Sequence, residues 1–252
     1  MPVIEGVNSV VHTIRILEQF KNGAGLSAGE ISKLTGIPRA TVYRLLKTLS
    51  LQQIVRQGDD KKYRLTLRLM ELGNAALAIP SLQQTVYPFL VSLSDITGET
   101  GHFSVLDGYH VGYIAKKESP HPFRMLSYIG WRGPLHATAS GKMLLSYSNS
   151  DFIDSVLDQK LHQYTSHTIT DPDRLRQEIE NIRSSKYAID DEELSEGLLC
   201  FSVPVFFEEK AIGSLSVSGP KQRLLQKTTD EFIEILNQKS EGITKKLMYG
   251  IK

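Results

Sequence analysis

Apolar residues return every three or four positions through the first third of the chain, the rhythm of helices that pack one face inward. Val7, Val10, Val11, Ile14, Leu17 and Phe20 form one such stripe and predict a helix over residues 7–20. Ser27-Ala28-Gly29-Glu30 has the Ser-x-x-Glu form of a capping box, so a second helix should start near Ser27. Its apolar Ile31 and Leu34 stand three apart, and Thr35-Gly36 ends it. Pro38 suits the first position of a third helix, where a missing N–H costs little. There Val42, Leu45, Leu46 and Leu49 follow the i, i+3, i+4, i+7 pattern of a buried stripe, leaving Arg39, Ala40, Thr41, Tyr43, Arg44 and Lys47 outward. Ile54-Val55-Arg56 and Tyr63-Arg64-Leu65 then flank a charged tip, residues 57–62, as a small hairpin. A short turn between two helices, a basic outer face on the second and a charged wing are the parts of a winged helix-turn-helix, which sets one helix in the DNA major groove. The candidate DNA contacts are Ser27, Arg39, Ala40, Thr41, Tyr43, Arg44, Lys47, Lys61 and Lys62. A helical hairpin with a merely solvated basic face is the competing reading; the cap, the Gly turn, Pro38 and the wing together favour DNA.

Leu65, Leu69, Leu72, Ala76 and Ile79 predict a connecting helix that Pro80 stops, and Pro88 begins or kinks another that runs to Thr97-Gly98. From Glu99 the pattern changes to mixed helix and strand. Residues 101–106 and 109–116 read as a hairpin around Asp107-Gly108, and 124–129 as a further strand. Helices are expected over 141–147, 151–157 and 172–184, the last with Leu175, Ile179 and Ile182 on one face. Strands 198–207 and 211–218 follow, joined by Glu208-Glu209-Lys210, before a closing helix over 224–248 with Phe232, Ile233, Leu236 and Ile243 inward. The expected fold is α+β in two domains: a winged helix-turn-helix over 1–65, a linker helix over 66–80, and a mixed α/β sensor domain over 81–252.

Charge sharpens that division. The net charge of +1 is uninformative, but residues 1–78 hold 11 Lys+Arg against 6 Asp+Glu, and the remainder holds 18 against 22. A cationic head on a slightly acidic body suits a polyanion-binding module fused to something else, and argues against a purely architectural DNA protein. Cys200 is the only cysteine, which rules out an intrachain disulfide and a Cys-rich zinc finger. The first residues lack a basic-then-apolar secretory pattern and no run approaches 18 apolar residues, so the expected location is the cytoplasm.

Residues 25–46, Lys62-Tyr63-Arg64-Leu65 and 69–73, then Ile129-Gly130, 134–142, 190–193, 196–200 and Val203-Pro204-Val205, occur in the order and spacing of a known family. Across essentially its whole length the chain resembles the IclR family of bacterial transcriptional regulators. The resemblance implies a GAF-like second domain that binds an effector and mediates oligomerisation, dimers that often pair into tetramers, and a small-molecule effector, a carboxylate or related metabolite, with no cofactor. It implies ligand contacts at Met125, Gly133, Ala139, Ser140, Asp190, Leu198, Cys200, Ser216 and Ser218. The chain has Ala139-Ser140 where some members carry Gly-Ala, which narrows the pocket and adds a donor. The residues themselves point to the same place. Small side chains where a loop enters a helix let a ligand reach the free N–H groups of the first turn, with the hydroxyls of Thr138 and Ser140 beside them. Ser216 and Ser218 alternate along a strand and share a face.

The rival reading is a cysteine-dependent enzyme acting on a small molecule, with Cys200 as nucleophile, His136 as base and Asp190 as orienter. Nothing in their spacing selects that arrangement, and His136 is expected to pack or cap locally. Seven scattered histidines without His-x-x-x-His spacing give no metal-ligand set, although some family relatives carry a metal in this domain. No catalytic and no metal residue is therefore assigned. Asp190 lies in an acidic run that by itself suggests a solvated turn; in a pocket it would bind a ligand hydroxyl or be held protonated.

Overall fold

A computed structural model describes residues 6–21, 23–74, 82–124 and 127–250, and the chain divides into two units, residues 1–80 and 81–252. The far half of the expected linker helix, with Ala76, Ile79 and Pro80, lies outside the described residues, as does Met125.

In the first unit, helices α1 (Asn8–Glu18), α2 (Ala28–Thr35) and α3 (Arg39–Leu51) surround a core of Ile16, Phe20, Ile31, Ile37, Val42, Leu46 and Leu49. The expected α1 stripe is corrected: Ile16 and Phe20 point inward, while Val7, Val10 and Ile14 are exposed, because the helix has two apolar faces and a three-helix core needs only one. Leu34 is likewise exposed. Gly36 takes a left-handed φ of 72° and caps α2. Its turn is locked by Thr35, whose hydroxyl donates to the Ile31 carbonyl at 2.7 Å and accepts from the Ile37 N–H. Pro38 is the N-cap of α3, one position earlier than expected. Strands β1 (Val55–Gln57) and β2 (Tyr63–Leu65) make the wing, and a two-way backbone bridge between Leu26 and Tyr63 fastens it ahead of α2. Helix α4 (Arg68–Asn74) follows, its Arg68 N–H bonded to the Thr66 hydroxyl.

The second unit is a six-stranded antiparallel sheet. Its strands are β3 (Thr100–Asp107), β4 (His110–Lys117), β5 (Arg132–Pro134), β6 (Ala188–Asp191), β7 (Leu198–Phe207) and β8 (Lys210–Pro220), in the order β5-β4-β3-β8-β7-β6. One face is apolar: Phe103, Leu215, Val217, Phe201 and Val203 pack on α5 (Leu82–Thr97) and α10 (Thr229–Tyr249), with Phe201 stacked 5.1 Å from Phe232. Pro88 lies inside α5 rather than at its start, and α10 begins at Thr229, where Thr228 and Glu231 form a capping box. A short helix, α9 (Lys221–Leu224), precedes it.

The opposite face is polar. Register places His102 beside Ser216, Ser104 beside Ser214, Ser202 beside Ser216, and Cys200 between Ser218 and Asp190. Helix α6 (Ala139–Ser146) covers this face, with α7 (Ser150–Leu157) and α8 (Pro172–Ser185) beyond it. A Cβ at Gly141 would lie 2.6 Å from the Leu135 carbonyl oxygen, so the first turn of α6 depends on glycine for its close packing. Two expectations fail here. Residues 127–129 are not strand, since the Gly130 N–H bonds to the Tyr113 carbonyl in a turn that leads into β5. The acidic run is not a solvated turn at its start, because Asp190 belongs to β6 and is buried.

Candidate functional site

Each unit carries a chemically loaded region where the expected residues gather. On the head, α3 exposes Arg39, Ala40, Tyr43, Arg44 and Lys47, with Thr41 half-buried between them. The Ser27 hydroxyl accepts from the Glu30 N–H at 3.3 Å, while the Glu30 carboxylate accepts from the Ser27 N–H at 2.7 Å. The Ser27 backbone bond and then its hydroxyl, aided by Lys62 3.7 Å away, hold Glu30 below the usual carboxylate range. On the wing, Arg64 grips both oxygens of Asp60 at 3.0 and 2.6 Å, drawing that carboxyl down to about 2 and using up its own charge. Lys61, at a left-handed φ of 58°, makes no ion pair among the described residues.

In the second unit, Ala139, Ser140, Asp190, Cys200, Ser216 and Ser218 line a single cavity together with Tyr113, Thr138 and Leu194. It is tight, with a volume of about 10 Å³. Its lining is under-bonded. Asp190 Oδ1 accepts from the N–H groups of Glu193 (2.8 Å) and Leu194 (3.2 Å), whereas Asp190 Oδ2 and Ser216 Oγ are buried without partners. Thr138 caps α6 by accepting from the Gly141 N–H at 3.0 Å, but the N–H groups of Ala139 and Ser140 have no partner among the described residues. Burial, then the nearby Glu193 carboxylate, pushes Asp190 up to about 7 against the pull of its two N–H bonds. Burial likewise raises Tyr113 and Cys200 well above their usual ranges, so both stay neutral donors.

Leu194 also lines an adjoining groove of about 390 Å³, with Phe123, Arg124, Trp131 and Leu198 among its walls. Leu198 thus belongs to the groove and to the apolar packing around Met143 rather than to the inner cavity. Gly133 is in neither. A Cβ there would collide with the Trp131 ring, so its smallness seats Trp131 against Tyr113, 4.7 Å away. Sequence reasoning missed Tyr113 and Leu194. Tyr113 reaches the cavity because Ile114 is an extra residue in β4: Phe103 pairs with Ala115 but Ser104 pairs with Tyr113, which shifts the phase of the strand.

Residues 9–59 match the IclR helix-turn-helix domain, and residues 75–245 match the bacterial transcriptional regulator IclR C-terminal domain. The chain is 34% identical over 248 residues to the transcriptional regulator KdgR of Dickeya chrysanthemi, covering 97% of this chain and 81% of that protein. It is also 34% identical to the regulator XynR of Escherichia coli over 99% of both. Among solved structures, an IclR homologue of Microbacterium hydrocarbonoxydans complexed with 4-hydroxybenzoate superposes with a TM-score of 0.83 at 26% identity, covering 95% of this chain and 99% of that one.

The chain belongs to the IclR family of bacterial transcriptional regulators.

As an IclR-family regulator it binds DNA through the winged head and carries a mixed α/β second domain of the family type. The cysteine-enzyme reading has no support in this domain. Cys200 and Asp190 share the inner cavity, but His136 lines a different cleft and its Nε2 is 2.9 Å from the His162 carbonyl oxygen. A buried thiol with a raised pKa is also a poor nucleophile. Among the described residues no group of three or more His, Cys, Asp or Glu could hold a metal ion, and no helix is long and apolar enough to cross a membrane.

Proposed function

We propose that this regulator works in the cytoplasm as a homodimer, or a pair of dimers, on a pseudo-palindromic operator of a catabolic operon, and is switched by a small hydroxylated organic acid bound in the cavity under α6. The observation that carries the effector reading is the set of unpartnered groups converging there: the N–H groups of Ala139 and Ser140, Ser216 Oγ and Asp190 Oδ2. Buried groups left unbonded cost about 1–3 kcal/mol each, so a ligand that satisfies them regains that energy. A carboxylate suits the α6 first turn, where the helix dipole favours an anion. A ligand hydroxyl suits Asp190, as acceptor when the carboxyl is protonated and as donor when it is not. The 4-hydroxybenzoate held by the Microbacterium homologue has both groups. The exposed stripe of Val7, Val10 and Ile14, at i, i+3 and i+7, supports pairing of two heads.

Mechanistically, the ligand must enter past Leu194, so binding displaces residues 192–196. It can alter DNA binding only to the extent that its affinity differs between two arrangements of the paired heads. The test is selection of genomic fragments by purified protein with and without candidate acids, using Ser140→Leu as control. The parent should enrich one palindromic site and release or tighten on it with the acid, while the variant binds that site equally well and ignores the acid. A variant that still responds would remove the cavity from the mechanism.

A further inference from the structure

We propose that the second domain holds another small-molecule site, a cationic cleft that takes a compact oxyanion, phosphoryl or carboxylate. The cleft encloses about 280 Å³ and shares no lining residue with the inner cavity or the groove beside it. Lys160 supplies its free charge, Arg132 a guanidinium whose charge Asp107 balances but which keeps N–H groups to donate, and His110 and His162 further donors, with Tyr109 and Tyr164 as flat walls. No carboxylate lines it. Arg132 is held in place from outside the lining, its Nε 2.7 Å from Asp107 Oδ2 and an Nη 3.4 Å from His110 Nδ1. Lys160 makes no ion pair among the described residues.

The cleft is built rather than incidental. The carbonyl of His162 can only accept, so His136 Nε2 carries the proton between them at 2.9 Å, tying the chain after α7 to the segment entering α6. Burial lowers the pKa of His136, which keeps that ring neutral. The His162 ring stands edge-on to Tyr164 at 4.8 Å. A free lysine on a concave wall, with guanidinium and imidazole donors beside it, attracts an anion and repels a metal cation. Pro134, Leu135 and His136 line this cleft, while Thr138, Ala139 and Ser140, next along the same strand of chain, line the effector cavity. Leu135 is also the backbone on which Gly141 packs. An oxyanion that fixes residues 134–136 therefore biases the first turn of α6, and the two ligands influence each other equally. The site stands on its own geometry; that coupling alone rests on the proposed effector cavity.

Calorimetric titration of the full-length protein with inorganic phosphate and, separately, malonate, each against chloride at equal ionic strength, tests the site. Saturable heat with either probe is expected, phosphate alone marking a phosphoryl ligand and malonate alone a carboxylate. Lys160→Gln should raise Kd roughly tenfold or more, because it removes an unpaired charge, whereas Arg132→Gln, whose charge Asp107 already balances, should raise it less. Parental melting temperatures would show that the variants are folded, and Ser140→Leu should leave this Kd unchanged even if it abolishes the effector response. No saturation above chloride with both probes, or the same Kd in parent and both charge variants, overturns the proposal.

Discussion

The head and the sensor domain handle polar groups in opposite ways. On α3 and the wing, the working groups are charges in water. Two such charges 4 Å apart interact by only about 1 kcal/mol, and salt screens them beyond about 10 Å. Under α6 the working groups are buried, nearly all uncharged, and several lack partners. Many weak, additive contacts suit a long repeating polyanion, whose release of counterions multiplies them. A few costly unsatisfied groups suit one small molecule of matching shape. The same division explains why Asp60 on the wing is drawn down to about 2 while Asp190 in the cavity is pushed up to about 7. One has Arg64 in its plane; the other has been taken out of water beside another carboxylate.

Two lysines put that comparison under the greatest strain. Lys142 of α6 is 1% exposed and bonds Glu193 at 2.5 Å and Glu178 at 3.1 Å, joining α6 to α8 and to the loop after β6. Lys47 of α3 faces solvent. Removing one member of a buried ion pair leaves the other charge stranded, so Lys142→Met should destabilise the protein by about 3–5 kcal/mol. Lys47→Met should stay within about 0.5 kcal/mol of the parent and weaken DNA binding instead. Urea denaturation measures both. Equal midpoints for the two variants would mean that the α6–loop junction does not depend on the ion pair.

Asp190 offers the next test, with its sign fixed by linkage. Folding raises this carboxyl from an ordinary 3.8 to about 7, so between those values the native state holds a proton that the unfolded chain has lost. Its contribution is therefore favourable at low pH and fades as pH rises through that window. Asp190→Asn keeps an oxygen to accept from Glu193 and Leu194 but cannot ionise. Its stability relative to the parent should improve by about 3 kcal/mol between pH 5 and pH 8. His102, pushed down to about 3 by burial, drives stability the other way at acid pH, but equally in both proteins, so it cancels in the difference. A difference that stays flat with pH would mean that Asp190 is not desolvated in solution.

The head was legible because its signals are local. A capping box, a Gly at positive φ and a stripe at i, i+3, i+4, i+7 each lie within eight residues and need no partner element. The α1 error is where that locality ends. Which of two apolar faces turns inward is decided by α2 and α3, and the outward one, Val7-Val10-Ile14, is left for something else. In the sensor domain, Ser216 and Ser218 could be placed on one face from period two alone. Tyr113 could not, because Ile114 shifts the phase of its strand, and Leu194 could not, because a loop residue has no period to read. Asp190 looked like part of a solvated acidic turn because charge composition carries no record of a neighbouring strand; its burial comes from pairing with Cys200.

The smallest expected effect tests the head's half of the contrast at a single charge. Four cations sit on the wing, Arg56, Lys61, Lys62 and Arg64, and the structure ranks them. Arg64 is committed to Asp60 by two bonds, and Lys62 is partly held by Glu30. Arg56 and Lys61 make no ion pair among the described residues, and Lys61 is the one at the tip itself. Its left-handed backbone would strain alanine, whereas asparagine tolerates that region, so Lys61→Asn removes the charge with little disturbance of the turn. Taking one cation off a phosphate should flatten the slope of log K against log salt by about 0.9, the same on operator and random DNA, since phosphates carry no sequence. Arg64→Gln should move that slope much less, because the charge it removes is already balanced by Asp60. If the two variants change the slope equally, the Asp60–Arg64 pair opens on DNA. Arg64 must then be counted with Lys61 among the groups that grip phosphate.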